Sequence, residues 1–245
     1  MKFNKVYTIY ATFVFSFFFI LIFPTYLLMI LFRNLAKYSY AIDRLWGRIF
    51  FGLLCMPVSI EFRKPLDKKK NYIFAANHFS FLDIAVFGFS GQPYAFIGKS
   101  SITKLPLFGW MFKKLHIPVN RRSPKSRYES LLKADEMLDQ GRSVVFFPEG
   151  GITSNEPPKL MPFKDGAFKL AIEKQIPIIP VTIPWNWIIL QDNGKFEFKS
   201  HPVKIVFHEP VITIGKTIED LTEVKREVFD TIKTELKRWN TNHED

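Results

Sequence analysis

Asn77-His78-Phe79-Ser80-Phe81-Leu82-Asp83 follows directly on the apolar run Tyr72 to Ala76. A strand of that composition giving way to a helix near Ser80 predicts a βα corner, the unit from which α/β folds are assembled. The same stretch sets a histidine and a carboxylate five positions apart. On one regular helix those positions point about 140° apart and share no reaction centre. They converge when His78 stays in the loop and Asp83 enters the first helical turn, with Ser80 as N-cap and Asp83 at N3. An imidazole whose Nδ1–H is held by a carboxylate is a general base suited to a hydroxyl group. Ser80-x-x-Asp83 also reads as a plain capping box, in which Asp83 only accepts backbone N–H groups and favours the positive end of the helix dipole. Both readings stand at this point.

Outward from this corner, short apolar runs alternate with helical patterns. Strands are predicted at Val58 to Phe62, Tyr72 to Ala76, Tyr94 to Ile97, Ser143 to Phe147, Ile178 to Ile183 and Val203 to Phe207. Helices are predicted at Phe81 to Phe89, Pro106 to Leu115, Lys125 to Gln140, Phe163 to Lys174 and Ile218 to Trp239. Strands separated by helix-length crossovers predict an α/β fold with a mixed, largely parallel central sheet flanked by helices. The continuous run Val144-Val145-Phe146-Phe147 suits a central strand buried on both faces. In such a sheet the loops leaving the carboxyl ends of the strands build the site, and His78 sits on one of them. The last helix carries Leu221, Val224, Val228, Ile232 and Leu236 at helical spacing, opposite lysines, with Thr217-x-x-Asp220 as its cap; it is assigned no chemistry.

Residues 58–245 are therefore expected to form the α/β domain, and residues 1–57 a membrane-anchoring helical segment. No charged residue lies between Lys5 and Arg33, and Val6 to Phe32 is long enough, at ~1.5 Å per residue, to cross a ~30 Å hydrocarbon core. Pro24 permits a kink, so a spanning and an in-plane helix are both open. Ile42 to Met56 reads as an amphipathic helix with Arg44 and Arg48 on a basic face, suited to an interface.

The 34 Lys and Arg outnumber 23 Asp and Glu, giving a net charge of +11 and implying an anionic partner. These basic residues are spread along a chain that begins with a membrane segment, which ranks nucleic acid last. A single cysteine, Cys55, excludes an intrachain disulfide framework and any Cys-rich zinc site; its apolar neighbours suggest inert packing. His116, His201, His208 and His243 show no metal-ligand spacing and read as surface or structural. There is no Walker-type or dinucleotide-binding glycine loop.

Three further blocks follow the histidine motif in order. They are Gly98-Lys99 with Leu105-Pro106-Leu107-Phe108-Gly109 and Ile117-Pro118-Val119-Asn120-Arg121, then Phe147-Pro148-Glu149-Gly150, then Ile176-Pro177-Ile178-Ile179-Pro180-Val181. Together the four blocks resemble the glycerolipid acyltransferase family that includes the 1-acyl-sn-glycerol-3-phosphate (lysophosphatidate) acyltransferases. The resemblance runs from about Asn71 to Val181 and implies a glycerol-3-phosphate acyltransferase-like fold. It implies His78 and Asp83 as catalytic residues and Lys99, Arg121, Arg122, Glu149, Gly150 and Lys164 as substrate-binding residues. Arg121 would be the family's phosphate-binding arginine. Oxyanion donors are expected among the backbone amides of residues 149 to 151 and the Lys99 ammonium.

The implied reaction moves a fatty acyl chain from acyl-CoA or acyl carrier protein to lysophosphatidate, giving phosphatidate. It needs no metal or redox cofactor, because the thioester co-substrate supplies the driving force. Membrane lipids, the lysophospholipid and the acyl donor are the implied partners, with the catalytic domain on the cytoplasmic face. One departure stands out. Where the family pattern continues after Phe-Pro-Glu-Gly with Thr, Arg and Ser, this chain has Gly151, Ile152 and Thr153. Arg121, Arg122 or Lys164 would replace the missing arginine, with Lys164, in Phe163-Lys164-Asp165-Gly166-Ala167-Phe168, preferred. The alternatives are an acceptor other than a phosphate monoester, such as a lyso-amino-acid lipid, or a catalytically inactive membrane-binding relative.

Overall fold

β2 (Ile73–Ala76) is buried at all four positions and carries the His78 corner at its carboxyl end. In the computed structural model, which describes residues 5–154 and 156–240 apart from the side chains of residues 33 and 34, this strand lies at the middle of the sheet. Residues 1–4 of the expected anchoring segment and His243 lie outside the described residues. The other strands are β1 (Val58–Phe62), β3 (Tyr94–Lys99), β4 (Ile117–Val119), β5 (Ser143–Phe146), β6 (Ile178–Thr182) and β7 (Val203–Phe207). Among the described residues these form one seven-stranded sheet in the order β1-β7-β6-β2-β5-β3-β4. Every pairing is parallel except β6 with β7, so the sheet is mixed and largely parallel, as expected.

The helices are α1 (Lys5–Leu31), α2 (Ser39–Leu53), α3 (Leu82–Val86), α4 (Phe108–Leu115), α5 (Pro124–Asp139), α6 (Gly166–Lys174), α7 (Asn186–Ile189) and α8 (Leu221–Asn240). Strand alternation divides the core in two. Phe74, Val145, Phe96 and Ile179 join the cluster formed with α1 to α4. Ile73, Val144, Ala95 and Ile178 join the one formed with α5, α6 and α8. The capping box expected ahead of α8 is present, with Thr217 N–H donating to Asp220 Oδ2 at 2.7 Å.

α1 continues through Pro24 without a break and lies along the domain. Tyr7 Oη donates to Leu54 O at 3.1 Å near one end, Phe15 packs edge-on against Trp46, and near the other end Tyr26 Oη donates to Asp43 Oδ1. Asp43 Oδ2 accepts from Tyr94 Oη, so this one carboxylate on α2 ties α1 to β3. The outer face of α1, including Ile9, Phe13, Ile20, Leu21 and Leu28, is exposed.

Two expectations are revised. The apolar stripe of α2 is in part taken up by the protein: Trp46, Phe50 and Phe51 are buried against α1, Phe89 and Phe198, while Leu45 and Leu53 stay exposed. Cys55 is not packed in the core. It is exposed, at a turn with φ of 52° just after α2, while its neighbours Leu54 and Met56 turn inward.

Candidate active site

The parallel strands β2, β3, β4 and β5 deliver their carboxyl ends to one edge of the sheet, and the loops there carry the residues singled out from the sequence. β2 pairs with both β5 and β6, so the corner after Ala76 lies between the turn after Phe146 and the segment after Thr182. Asn77 fixes that corner. It is fully buried, its Nδ2 donates to Ile183 O at 2.9 Å, and its Oδ1 accepts from Ile183 N–H at 2.8 Å. Sequence reading gave Asn77 no role. The usable signal was an amide side chain at the exit of a buried strand, which must find partners.

His78 Nδ1 lies 3.0 Å from Asp83 Oδ2. The same oxygen accepts the N–H groups of Phe79 at 2.8 Å and Ser80 at 2.9 Å. The helix cap and the expected catalytic pair are thus one structure: the backbone donors orient the carboxylate, and the carboxylate orients the imidazole. α3 begins at Leu82, one residue later than expected, with Ser80 Oγ accepting from Leu82 N–H and donating to Leu190 O. The imidazole stacks on Phe147, ring centroids 3.9 Å apart, which leaves little freedom about its ring plane.

Glu149, expected to bind substrate, is bonded to the protein through both carboxylate oxygens. Its Oε1 accepts His78 N–H and its Oε2 accepts Met161 N–H, both at 2.9 Å. Burial pushes its pKa up to about 7, against the opposing pull of those two amides and with a further push from the Asp83 charge. It braces the backbone of His78 to that of Met161, in the loop after β5. Among the expected oxyanion donors, Gly150 N–H is already committed to Phe147 O at 2.9 Å, which removes it from that set.

Gly150 and Gly151 have φ of 86° and 148°, and their missing side chains make room for cations. A Cβ on Gly150 would strike Lys164 Nζ, and one on Gly151 would strike Arg121 Nη1. Lys164 and Arg121 therefore both lie against the turn that follows Glu149. Arg121 is half-buried, and burial pushes its pKa down. Arg122 is exposed beside it, its backbone N–H bonded to Asn120 Oδ1, and Lys99 is exposed at the end of β3. The structure thus brings His78, Asp83, Glu149, Gly150, Lys164 and Arg121 together, with Lys99 and Arg122 at the periphery.

Next to the histidine corner, on the α1 side of the sheet, is a cavity of about 400 Å³ lined mostly by apolar side chains, among them Phe19, Leu82, Phe96, Phe112 and Phe198. His116 lies on its wall as a buried, neutral ring, its pKa lowered to about 3 by burial and its Nδ1 accepting from Phe96 N–H. His208 is bonded to Thr182 Oγ1 and His201 to Pro202 O, away from this corner.

The sequence model of the acyltransferase family matches residues 57–184, just over half of the chain, a span that holds His78, Asp83, Lys99, Arg121, Arg122, Glu149, Gly150 and Lys164. The chain belongs to that family. It is 34% identical over 140 residues to a chloroplastic 1-acyl-sn-glycerol-3-phosphate acyltransferase of Brassica napus, covering 57% of this chain and 40% of that one. It is 30% identical over 210 residues to an uncharacterized acyltransferase of Schizosaccharomyces pombe, covering 83% and 75%. The crystal structure of the 1-acyl-sn-glycerophosphate acyltransferase PlsC from Thermotoga maritima superposes with a TM-score of 0.75 at 26% identity, covering 96% of this chain and 97% of that one. The chain spans about half the length of the first plant and algal relatives it matches.

Proposed function

We propose that the protein transfers a fatty acyl chain from a thioester of CoA or acyl carrier protein to the free hydroxyl of lysophosphatidate. The observation that carries this reading is the buried contact of His78 Nδ1 with Asp83 Oδ2 at 3.0 Å. It leaves Nε2 to take the hydroxyl proton as the oxygen attacks the thioester carbonyl. Asp83 holds the tautomer and stabilises the imidazolium. When the tetrahedral adduct collapses, the C–S bond breaks and the imidazolium returns its proton to the thiolate. Glu149 acts by positioning, through the backbone of His78.

Arg121 and Lys164 supply the charge for a phosphate beside the turn, Lys164 standing in for the arginine replaced by Ile152. The apolar cavity suits a hydrocarbon chain, and its volume falls in the usual range of about 300–1,000 Å³ for ligand sites. The acyltransferases of Brassica napus and Thermotoga maritima named above carry the same substrate class in their names, which supports the acceptor chosen here.

The reading extends to the membrane. α1 has a mean hydropathy of 2.5 over its most apolar window, and 11% of that window is buried. It rests against the domain from Tyr7 to Tyr26, roughly 29 Å of helix. A helix docked over that length seats in the plane of one leaflet, with its exposed face in lipid, more readily than across a bilayer. The catalytic domain then lies on the cytoplasmic side, where acyl-CoA and acyl carrier protein are found.

Ile152 motivates one competing acceptor, a lysolipid without phosphate. Paired turnover assays on lysophosphatidate and a phosphate-free lyso-amino-acid lipid separate the two. Arg121→Ala is expected to weaken use of lysophosphatidate by roughly 10–150-fold, the worth of a hydrogen bond to a charged group, and to leave the phosphate-free lipid unaffected. Equal or better turnover of the phosphate-free lipid by the unaltered protein would overturn the lysophosphatidate assignment.

A further inference from the structure

We infer that the tip Leu105-Pro106-Leu107, backed by Trp110, is a second membrane-contact element, separate from α1, that enters the headgroup region of an anionic bilayer. The inference rests on the in-plane reading of α1 and adds a contact that the helix does not supply.

The tip is apolar and outward-facing. Leu105, Leu107 and Trp110 are 54%, 46% and 41% exposed, a cluster of large side chains that a water-facing loop has no reason to carry. Its backbone is held in a costly shape. Leu107 has φ 57° and ψ −60°, and Phe108 N–H donates to Pro106 O across it at 2.5 Å, which makes a γ-turn of the rare, strained hand. Strain of this kind persists only where the surroundings enforce it. Here they do. Gly109 N–H is bonded to Leu105 O at 2.8 Å, and the backbone of Thr103 lies so close to Gly109 that a Cβ there would meet it at 2.5 Å. A rigid turn presents its leucine to the outside.

What lies outside is indicated by three neighbours. Trp110 packs against Phe23 and Phe108 against Phe19, so the tip is continuous with α1. Lys104, Lys113 and Lys114 are exposed around it, which suits anionic headgroups, and tryptophan is favoured at that depth. Leu105 also lines the apolar cavity, as does Phe81, which is itself half exposed beside His78. Seated in the headgroup layer, this rim lets a lysolipid move from the leaflet toward the histidine corner without exposing its chain to water.

The test uses the full chain with Cys55→Ser and a nitroxide at one new cysteine: Leu107→Cys on the tip, Phe13→Cys on the outer face of α1, or Tyr128→Cys on α5. In vesicles of phosphatidylglycerol and phosphatidylcholine, the labels at 107 and 13 are expected to be shielded from a water-soluble nickel relaxant and open to oxygen. The label at 128 is expected to be open to nickel. A label at 107 as open to nickel as the one at 128, with 13 shielded, overturns the inference and leaves the reading of α1 standing. A label at 13 open to nickel overturns both. Independently, Leu107→Asp is expected to lower kcat/KM for vesicle-borne lysophosphatidate by about tenfold, well short of the cost of a carboxylate at the bilayer centre. Transfer to a short-chain, water-soluble acceptor should stay unchanged, and an equal loss on both acceptors contradicts the proposal.

Discussion

On the face of the sheet carrying α5, α6 and α8 the core is built largely from branched aliphatic side chains such as Ile73, Val144, Ile178, Leu170, Val228 and Ile232. On the opposite face, under α1 to α4, it is crowded with rings, including Phe50, Phe51, Phe74, Phe87, Tyr94, Phe96, Phe112 and Phe207. Aliphatic side chains interlock to crystal-like density. The cavity of about 400 Å³ is on the aromatic side, with several of these rings on its wall. Phenylalanine thus serves both the core and the cavity wall on this face. His78 stands at the seam, with Phe79 packed into the aliphatic cluster and Leu82 into the aromatic one.

The largest expected effect is at the seam itself. Asp83→Asn preserves the shape of the carboxylate but holds the wrong imidazole tautomer. It should lower kcat by roughly 10³–10⁴-fold while the thermal midpoint stays near that of the parent protein. A loss of activity accompanied by collapse of the fold would reduce Asp83 to a helix cap.

A pair of variants then sets the two faces against each other. Ile232→Ala, in the aliphatic core, should cost about 2–5 kcal/mol of stability and leave turnover per folded molecule intact. Ala85→Phe, on the cavity wall, should change stability by no more than about 1–3 kcal/mol yet reduce turnover of long-chain donors well below that of short-chain ones. Denaturant titration with a donor series reads both. If Ala85→Phe treats every chain length alike, the cavity holds no acyl chain.

The smallest effect is one of pH. Glu149 has a pKa of about 7 in the folded protein against an ordinary glutamate value of 4.5. Between those values the folded state holds a proton that the unfolded state has lost. The contribution to stability is thus complete below about pH 4.5 and is lost as pH rises through 7, at on the order of 1 kcal/mol per unit. Glu149→Gln should flatten that slope when unfolding is followed from pH 5 to pH 8. Parallel curves for the two proteins would place the carboxyl at an ordinary pKa.

The elements of this fold were legible where a local pattern marks them. β1 and β7 match their expected bounds, α5 is shifted by one residue, and α8 starts three residues later than expected and ends one later, because periodicity and caps are written in neighbouring residues. β4 is three residues interrupted by Pro118 and does not stand out as a strand until β3 pairs with it. The site was legible as a set of residue types and only partly as a geometry. His78 and Asp83 are five residues apart and their meeting follows from one turn of chain. The meeting of Glu149 with the His78 backbone joins residues 71 positions apart, and that of Asn77 with Ile183 joins residues 106 apart. A local pattern can show that Asn77 or Glu149 needs a partner, but it does not name a partner so far along the chain. The docking of α1 was hidden for a related reason: hydropathy describes how apolar a helix is, and α1 is apolar on both the face it buries and the face it exposes.

The most direct measurement is acyl transfer by the full chain in lipid vesicles, with labelled acyl-CoA and lysophosphatidate, comparing the unaltered protein with His78→Ala. The unaltered protein should form phosphatidate, and His78→Ala should lower the rate by roughly 10²–10⁴-fold with vesicle binding unchanged. Phosphatidate formation that persists in His78→Ala, or that is absent from the unaltered protein, would contradict a general-base acyltransferase built on the His78–Asp83 corner.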